Sequence, residues 1–374
     1  MSVAQGYEKI PTNGLVFMYD VADSTSYKGE PTTNICTGVS YSIYDSGATN
    51  YRNQTFPLPF ATGYEVVKVV ANTPGTYGQS ILWRAPYSTN VMTITNSVYA
   101  WLESGTYVQV GQHWHPWYYG TEKYIPTGQW VRISETYTIN EGASYGNAAM
   151  VYSTNGVAYF CMPQYEIKPH ITPFVGFDQT RSATQALLPL VSNSTIDLSN
   201  VSFDANAQMT FDGTNDYINI PSSNVFDAQT VTVEVVVKPY ATNQAGFWFE
   251  KGAVNTQYSL FMENSNIVWR TAFGGTYDSL YFGSSNMTAN AWNHVVGTYI
   301  AGNKKVYLNG TLMNSNSLNV TLNTNQGNQY IGSYNSNGYF YNGEIAIIKV
   351  YNQALTQEEV QQSYNKYKTR FNLS

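Results

Sequence analysis

Two dipeptides constrain this chain more tightly than anything else in it: Gly302-Asn303 and Asn309-Gly310, inside the run WNHVVGTYIAGNKKVYLNGTLM from Trp292 to Met313. Tight hairpin turns need φ > 0 at their centre, and Gly and Asn are the residues that accept it. The residues around them alternate, so the run reads as two strands with turns between and after them. The clearest single strand is TVTVEVVVKP (Thr230–Pro239), where Val231, Val233, Val235 and Val237 share one face and Thr232, Glu234 and Lys238 the other. Later, Tyr330 to Tyr367 holds a Gly-punctuated strand pair, a buried strand Ile345–Tyr351 and a short helix. Thr356 is the expected N-cap of that helix, with Glu359 in the capping-box position. Its few apolar residues make it a surface helix closing one end of a sandwich.

The remaining sequence fits an all-β class. Only 11% of residues are charged and 15% are aromatic, with 33 tyrosines. Such side chains fill strands, and the abundant Asn and Gly fill turns. Disorder would need lower hydrophobicity and more charge. A length of 374 residues implies two or three domains, each able to bury a core. The net charge of −6, without a Lys or Arg cluster, argues against a nucleic-acid partner. No apolar run reaches the length of a membrane span, and MSVAQGYEKIPTNG lacks the basic and apolar regions of a secretory signal. A polar, weakly ionic surface is common on secreted, cell-surface and virion proteins. A phage protein, made in the host cytoplasm and released by lysis, reconciles that surface with the missing signal. Cys36 and Cys161 are too few for a disulfide scaffold and read as two unrelated thiols.

Along the chain, residues 1–34 read as a lead-in segment carrying one short apolar strand in GLVFMYDVADSTSY. Residues 35–175 alternate strand-like runs with turn residues, among them YEVVKVV, NSVYAWLE, TYVQVG, WVRISETYTI and VAYFCMPQYEI. Residues 176–206 read as a linker in which ALLPLV packs against one of the domains, and 207–374 form the last domain.

The densest unusual cluster is GQHWHPWYYG, with His113, Trp114, His115, Trp117, Tyr118 and Tyr119. Two His at i, i+2 on a strand share a face, as metal ligands would, but no carboxylate or third ligand lies nearby in sequence. The rings also suit stacking against a pyranose, with His nitrogens and Tyr hydroxyls hydrogen bonding. The same aromatics suit a core edge or a subunit interface. The reading adopted is a glycan or interface site, with the interface or core role ahead and no metal ligand assigned. His294, in WNHVVGTY, is read as a packing or strand-bonding residue. Catalysis finds little support: there is no G-x-S-x-G elbow, no Glu-x-Asp and no Asp-x-Glu.

The C-terminal runs quoted above, with FDGTNDYINIP at Phe211–Pro221, resemble the laminin-G-like, concanavalin-A-like β-sandwich. GQWVRISETYTI is similar to strands of carbohydrate-binding-module jelly rolls. The lead-in GLVFMYDVADSTSY and the exit QYEIKPHITPFV followed by TRS resemble segments of tailed-phage virion proteins. The resemblances imply two tandem β-sandwiches, a jelly roll followed by a concanavalin-A-like sandwich with a short C-terminal helix. They imply a non-enzymatic virion surface protein, a fibre, decoration or adhesion component. Its expected partners are other virion proteins, further copies of itself, and a host-surface glycan. A glycan-active enzyme or free lectin of the same fold is the alternative. Relatives with calcium at the sandwich rim draw attention to Asp212, Asp216 and Asp227, but these do not match a calcium site residue by residue, and their ordinary reading is turn formation. No cofactor is assigned.

Overall fold

The Val231–Pro239 strand needs cover on both sides, and it gets it. Its odd-numbered valines enter a core shared by two antiparallel sheets, while Val236 lies in a second cluster on the opposite face. The structure, a computed structural model, describes residues 10–36, 39–43, 48–51, 64–71, 77–84, 91–113, 121–139, 146–152, 156–252, 257–324 and 327–373. The chain divides into two units. One comprises residues 1–29, 183–204 and 208–374, and the other residues 30–182 with 205–207.

The first unit is a two-sheet sandwich. Its larger sheet runs Ser202–Phe203, Met209–Asp212, Asn342–Tyr351, Val231–Pro239, Asn293–Ile300, Asn303–Leu308, Thr311–Asn316. Its smaller sheet runs Ile218–Ile220, Gln329–Ile331, Gly246–Lys251, Tyr258–Glu263, Asn266–Phe273, Thr276–Gly283. The second hairpin turns at the expected residues, Asn309 and Gly310 with φ +47 and +77, whereas the first turns one residue earlier than expected: Gly302 has φ +83, and Asn303 already pairs with Ile300. Both central residues of the second turn are thus left-handed, the type I′ geometry that matches strand twist. Gly297 is required for packing. A Cβ there would stand 2.4 Å from the ring of Trp269, whose Nε1 donates to the Thr298 carbonyl at 3.0 Å.

The expected lead-in and linker correct themselves here. Leu15–Asp20 is a full member of the larger sheet, antiparallel to Ile347–Tyr351, on the same side of that strand as Met209–Asp212. Phe17 and Tyr19 lie in the shared core, as do Ala186 and Leu187 from ALLPLV. The physical reason is backbone pairing: without Leu15–Asp20, half of a central buried strand would lack hydrogen-bond partners. The sandwiches are therefore nested rather than strictly consecutive in sequence. The second unit is inserted between the first strand of the first unit and the remainder of it.

The helix Gln357–Phe371 carries the full capping box. It does more than close an end. Val360, Tyr364, Tyr367 and Phe371 cover the outer face of the larger sheet, and Arg370 binds Asp20 bidentately.

The second unit pairs a five-stranded sheet (Ala48–Tyr51, Val67–Ala71, Val157–Glu166, Met92–Ser104, Val131–Ile139) with a four-stranded one (Val39–Ile43, Tyr77–Arg84, Gly146–Tyr152, Tyr107–His113). Val67, Val69, Val98, Ile133 and Phe160 of the first meet Val108 and Val110 of the second in one core. Cys36 lies in that core, whereas Cys161 belongs to a cluster on the other side of its strand, and both thiols are free. Burial pushes each thiol up to about 12, so neither is a reactive thiolate.

A ribbon of Thr32–Thr33 with Thr180–Arg181 gathers the two ends of this unit. Arg181, the Arg of TRS, donates to the Glu30 carbonyl from Nε (3.0 Å) and Nη2 (2.6 Å), and to the Pro173 carbonyl (3.1 Å). Asn34 donates to the Pro163 and Val175 carbonyls and accepts from Cys36 and Tyr165. The exit run is thus the clasp of an insertion.

Candidate functional site

Alternation decides which side chains the smaller sheet presents outward. Tyr258, Leu260 and Met262, with Ile267, Trp269, Leu280 and Phe282, enter the core. Their neighbours Phe261, Val268, Arg270, Tyr277, Ser279 and Tyr281 therefore stand on the other face. Phe247 joins them, stacked on Phe261 at 4.2 Å between centroids and 2° between planes. The guanidinium of Arg270 lies 4.6 Å from the Phe261 ring and 4.5 Å from the Tyr277 ring. It is held there by Ser279 Oγ at 3.2 Å from Nε and by Glu263 at 3.7 Å from Nη2.

Register explains the arrangement. Phe261 faces Val268 and Ala272 faces Tyr277, so Arg270 is the diagonal neighbour of both rings. Long side chains reach along such diagonals. The result is a row, Phe247, Phe261, Arg270, Tyr277, crossing four strands. A cation between ring faces is favourable, and a planar guanidinium keeps donors free at its edge.

The loop between Ile331 and Asn342 covers one end of the row. Tyr334 and Tyr339 pack on Phe247 at 5.3 and 6.0 Å. The Asn335 amide donates to Glu250 Oε2 at 2.8 Å, fixing the loop to the sheet. Asn335, Ser336 and Tyr339 all have positive φ. A left-handed tyrosine is strained, and here the strain holds a ring out to solvent. Tyr339, Tyr277 and Tyr281 are 51%, 60% and 45% exposed. Open phenol rings beside a fixed guanidinium and a hydroxyl offer flat apolar faces with hydrogen-bonding rims, the combination that binds sugars.

Two carboxylates of this face come from well-separated positions. Glu250 stands opposite Ser259, and Glu263 lies four residues farther along that strand. Their backbones are therefore about 13 Å apart along the sheet, and each carboxylate is engaged, Glu250 by the Asn335 amide and Glu263 by Arg270.

Two buried charge clusters lie elsewhere. Under the C-terminal helix, Glu234 Oε1 contacts Lys349 Nζ at 2.8 Å and His294 Nε2 at 3.1 Å, while Oε2 accepts from Tyr351 at 3.2 Å and Ser363 at 3.3 Å. Burial pushes the Glu234 carboxyl up, but Lys349 and His294 together hold it well below the usual range. His294 thus packs and hydrogen bonds. In the second unit, Glu30 binds both Lys168 and His170, the latter at 2.6 Å, beside Glu166, which accepts from Thr32 and Thr172. In both clusters the carboxylates are engaged by neighbouring side chains.

Of the residues singled out in GQHWHPWYYG, His113 ends the strand Tyr107–His113, its backbone opposite Gly146. Its side chain, and Trp114, His115, Trp117, Tyr118 and Tyr119, lie outside the described residues. Asp212 and Asp216 serve the turn between their strands, accepting from Thr214 and Asn215, and from Ser202 and Asp212, while Asp227 pairs with Lys251. Among the described residues no three His, Cys, Asp or Glu side chains converge on a metal position. The tyrosine row was missed because its members come from four strands and a loop. The available signal was the alternation in TYDSLYFG, which puts Tyr277 and Tyr281 on one face.

Comparison with known proteins agrees with the sandwich. Residues 212–361 match the laminin G family model described as the concanavalin A-like lectin/glucanases superfamily. No curated protein matches the chain. Among solved structures, the botulinum neurotoxin serotype G binding domain is similar at 17% identity and a TM-score of 0.41, over 48% of each chain. The serotype D ligand binding domain in complex with N-acetylneuraminic acid is similar at 19% identity and a TM-score of 0.40, over 49% of each chain. The chain spans about half the length of these structures.

Proposed function

We propose that a chain whose residues 212–361 form a concanavalin A-like, laminin G-like domain is a non-enzymatic, lectin-like binding protein that contacts glycans through the outer face of the smaller sheet. One observation carries this: Arg270 fixed between Phe261 and Tyr277, with Tyr277, Tyr281 and Tyr339 open to solvent on the same side. The separation of Glu250 and Glu263 supports binding over hydrolysis. The setting proposed is the surface of a tailed-phage particle, where the protein acts as a fibre, decoration or adhesion component beside other virion proteins or copies of itself. The low charge, the tyrosine-rich composition and the lead-in and exit runs support that setting.

The test is a glycan array probed with the whole chain and with Tyr277→Ala and Arg270→Ala. Both variants should lose at least tenfold in binding, and Tyr277→Ala, an exposed change, should leave the melting temperature within a degree or two. Retained binding by both variants would overturn the assignment of this face. Reducing ends released from any bound polysaccharide would overturn the non-enzymatic reading.

A further inference from the structure

Where the open edges of the two sheets meet, three side chains form an arrangement that the glycan face does not use. Lys304, in the strand Asn303–Leu308, is fully buried. Its Nζ lies 2.8 Å from Asp278 Oδ1 and 2.8 Å from the Asp278 carbonyl. Asn316 is the direct cross-strand partner of Lys304. Its Nδ2 donates to that same Asp278 Oδ1 at 3.0 Å, so amine and amide meet on one carboxylate oxygen. The Asn316 amide oxygen accepts the Leu318 N–H at 3.3 Å. A backbone donor on a carbonyl oxygen stabilises charge that develops there on nucleophilic attack.

We propose that Lys304 and Asn316 become joined by an intramolecular amide bond, with Asp278 carrying the protons. Lys304 begins as an ammonium and passes one proton to Asp278. The freed amine attacks Cγ of Asn316, forming the new C–N bond as the carbonyl electrons move to Oδ1 under the Leu318 N–H. When the carbonyl re-forms, the Cγ–Nδ2 bond breaks. Asp278 hands a proton to the departing nitrogen and takes the surplus proton from the new amide. Ammonia leaves and carries off the remaining proton as ammonium. No oxidant or co-reactant enters, and Asp278 ends as the carboxylate it was.

Burial favours the neutral amine that the attack needs. Burial lowers the Lys304 amine to about 8, against the pull of Asp278 upward, so neutral amine is within reach near neutral pH. Burial raises Asp278, and its hydrogen bonds from Lys304 and Asn316 more than offset this, so it starts ionised and holds the Lys304 proton only in passing. The bond would fasten Thr311–Asn316, the edge strand of the larger sheet, to its neighbour. Edge strands are where a sheet is most open to fraying and to mispairing.

Intact mass spectrometry of the purified whole chain tests this. The expected mass lies about 17 Da, one ammonia, below that of the sequence, and tryptic mapping yields a branched peptide joining Lys304 to Asn316. Lys304→Met, Asn316→Ala and Asp278→Ala should each restore the full mass. A wild-type chain at its full mass after prolonged incubation at neutral pH overturns the proposal, whether or not the variants fold. A loss of about 18 Da, one water, overturns Asn316 as the acceptor in favour of Asp278. Ammonia loss that persists in Asp278→Ala overturns the carboxylate's role.

Discussion

Glu234 shows what a single buried charge demands of its surroundings. It occupies the outer face of the larger sheet and is fully buried beneath the C-terminal helix. Lys349, His294, Tyr351 and Ser363 supply every contact that water would have made. Removing one partner from such a set is costly because the other charge stays buried. The cluster also fixes a pH dependence. In the unfolded chain Glu234 titrates near 4.5, and in the fold its partners bring it to about 2. Its stabilising contribution is therefore complete above about 4.5 and is lost as pH falls towards 2. Melting temperatures measured from pH 6 to pH 2 should fall steeply across that window. Glu234→Gln should melt lower at pH 6 and show a shallower fall. Equal slopes for the two proteins would show that other groups dominate acid unfolding.

Elements differ in how openly the sequence declares them. The turns at Gly302 and Asn309-Gly310 were legible because φ > 0 restricts the residue type itself. The helix start was legible for a similar reason, since Thr356 and Glu359 satisfy each other locally, at 3.2 and 2.8 Å. Thr356→Ala should cost about 1 kcal/mol and speed amide exchange in the first helical turn while leaving the sheets protected. The role of the helix was less legible. Its contacts are mostly tyrosines, which a count of aliphatic residues undervalues, yet Tyr364, Tyr367 and Phe371 form most of the cover over Val236 and Ile347. The binding face was less legible still. A row that runs diagonally across four strands follows from register, and register is a property of pairs of strands. The cluster from His113 to Tyr119 caught the eye because it is contiguous, while Tyr277, Arg270 and Phe247 are adjacent only once the sheet exists.

The whole molecule is organised by a pairing that no local pattern announces. Leu15–Asp20 meets Ile347–Tyr351 across nearly the full length of the chain. Apolar alternation shows that such a strand needs a partner and is silent about which. A boundary placed at residue 207 therefore cuts through a fold. Residues 207–374 expressed alone should fail to unfold cooperatively, because Phe17, Tyr19, Ala186 and Leu187 are missing from the core. Residues 10–29 joined by a short Gly-Ser link to 183–374 should give a single sharp thermal transition, since the Lys28 amide and the Ala186 carbonyl already stand 2.8 Å apart. A sharp transition in both, or in neither, would remove the first strand from its structural role.

The nested order also sets a path for mechanical load. Tension applied between residue 10 and residue 373 enters through the strand Leu15–Asp20 and leaves through the helix that Arg370 ties back to Asp20. Both handles belong to one sandwich, so the force closes through that sandwich alone. Between them the chain leaves this sandwich after residue 29 and rejoins it at residue 183, with Thr32–Thr33 and Thr180–Arg181 paired to each other just beyond those points. A pull on those two residues therefore meets the pairing of Leu15–Asp20 with Ile347–Tyr351 before any pairing within residues 30–182.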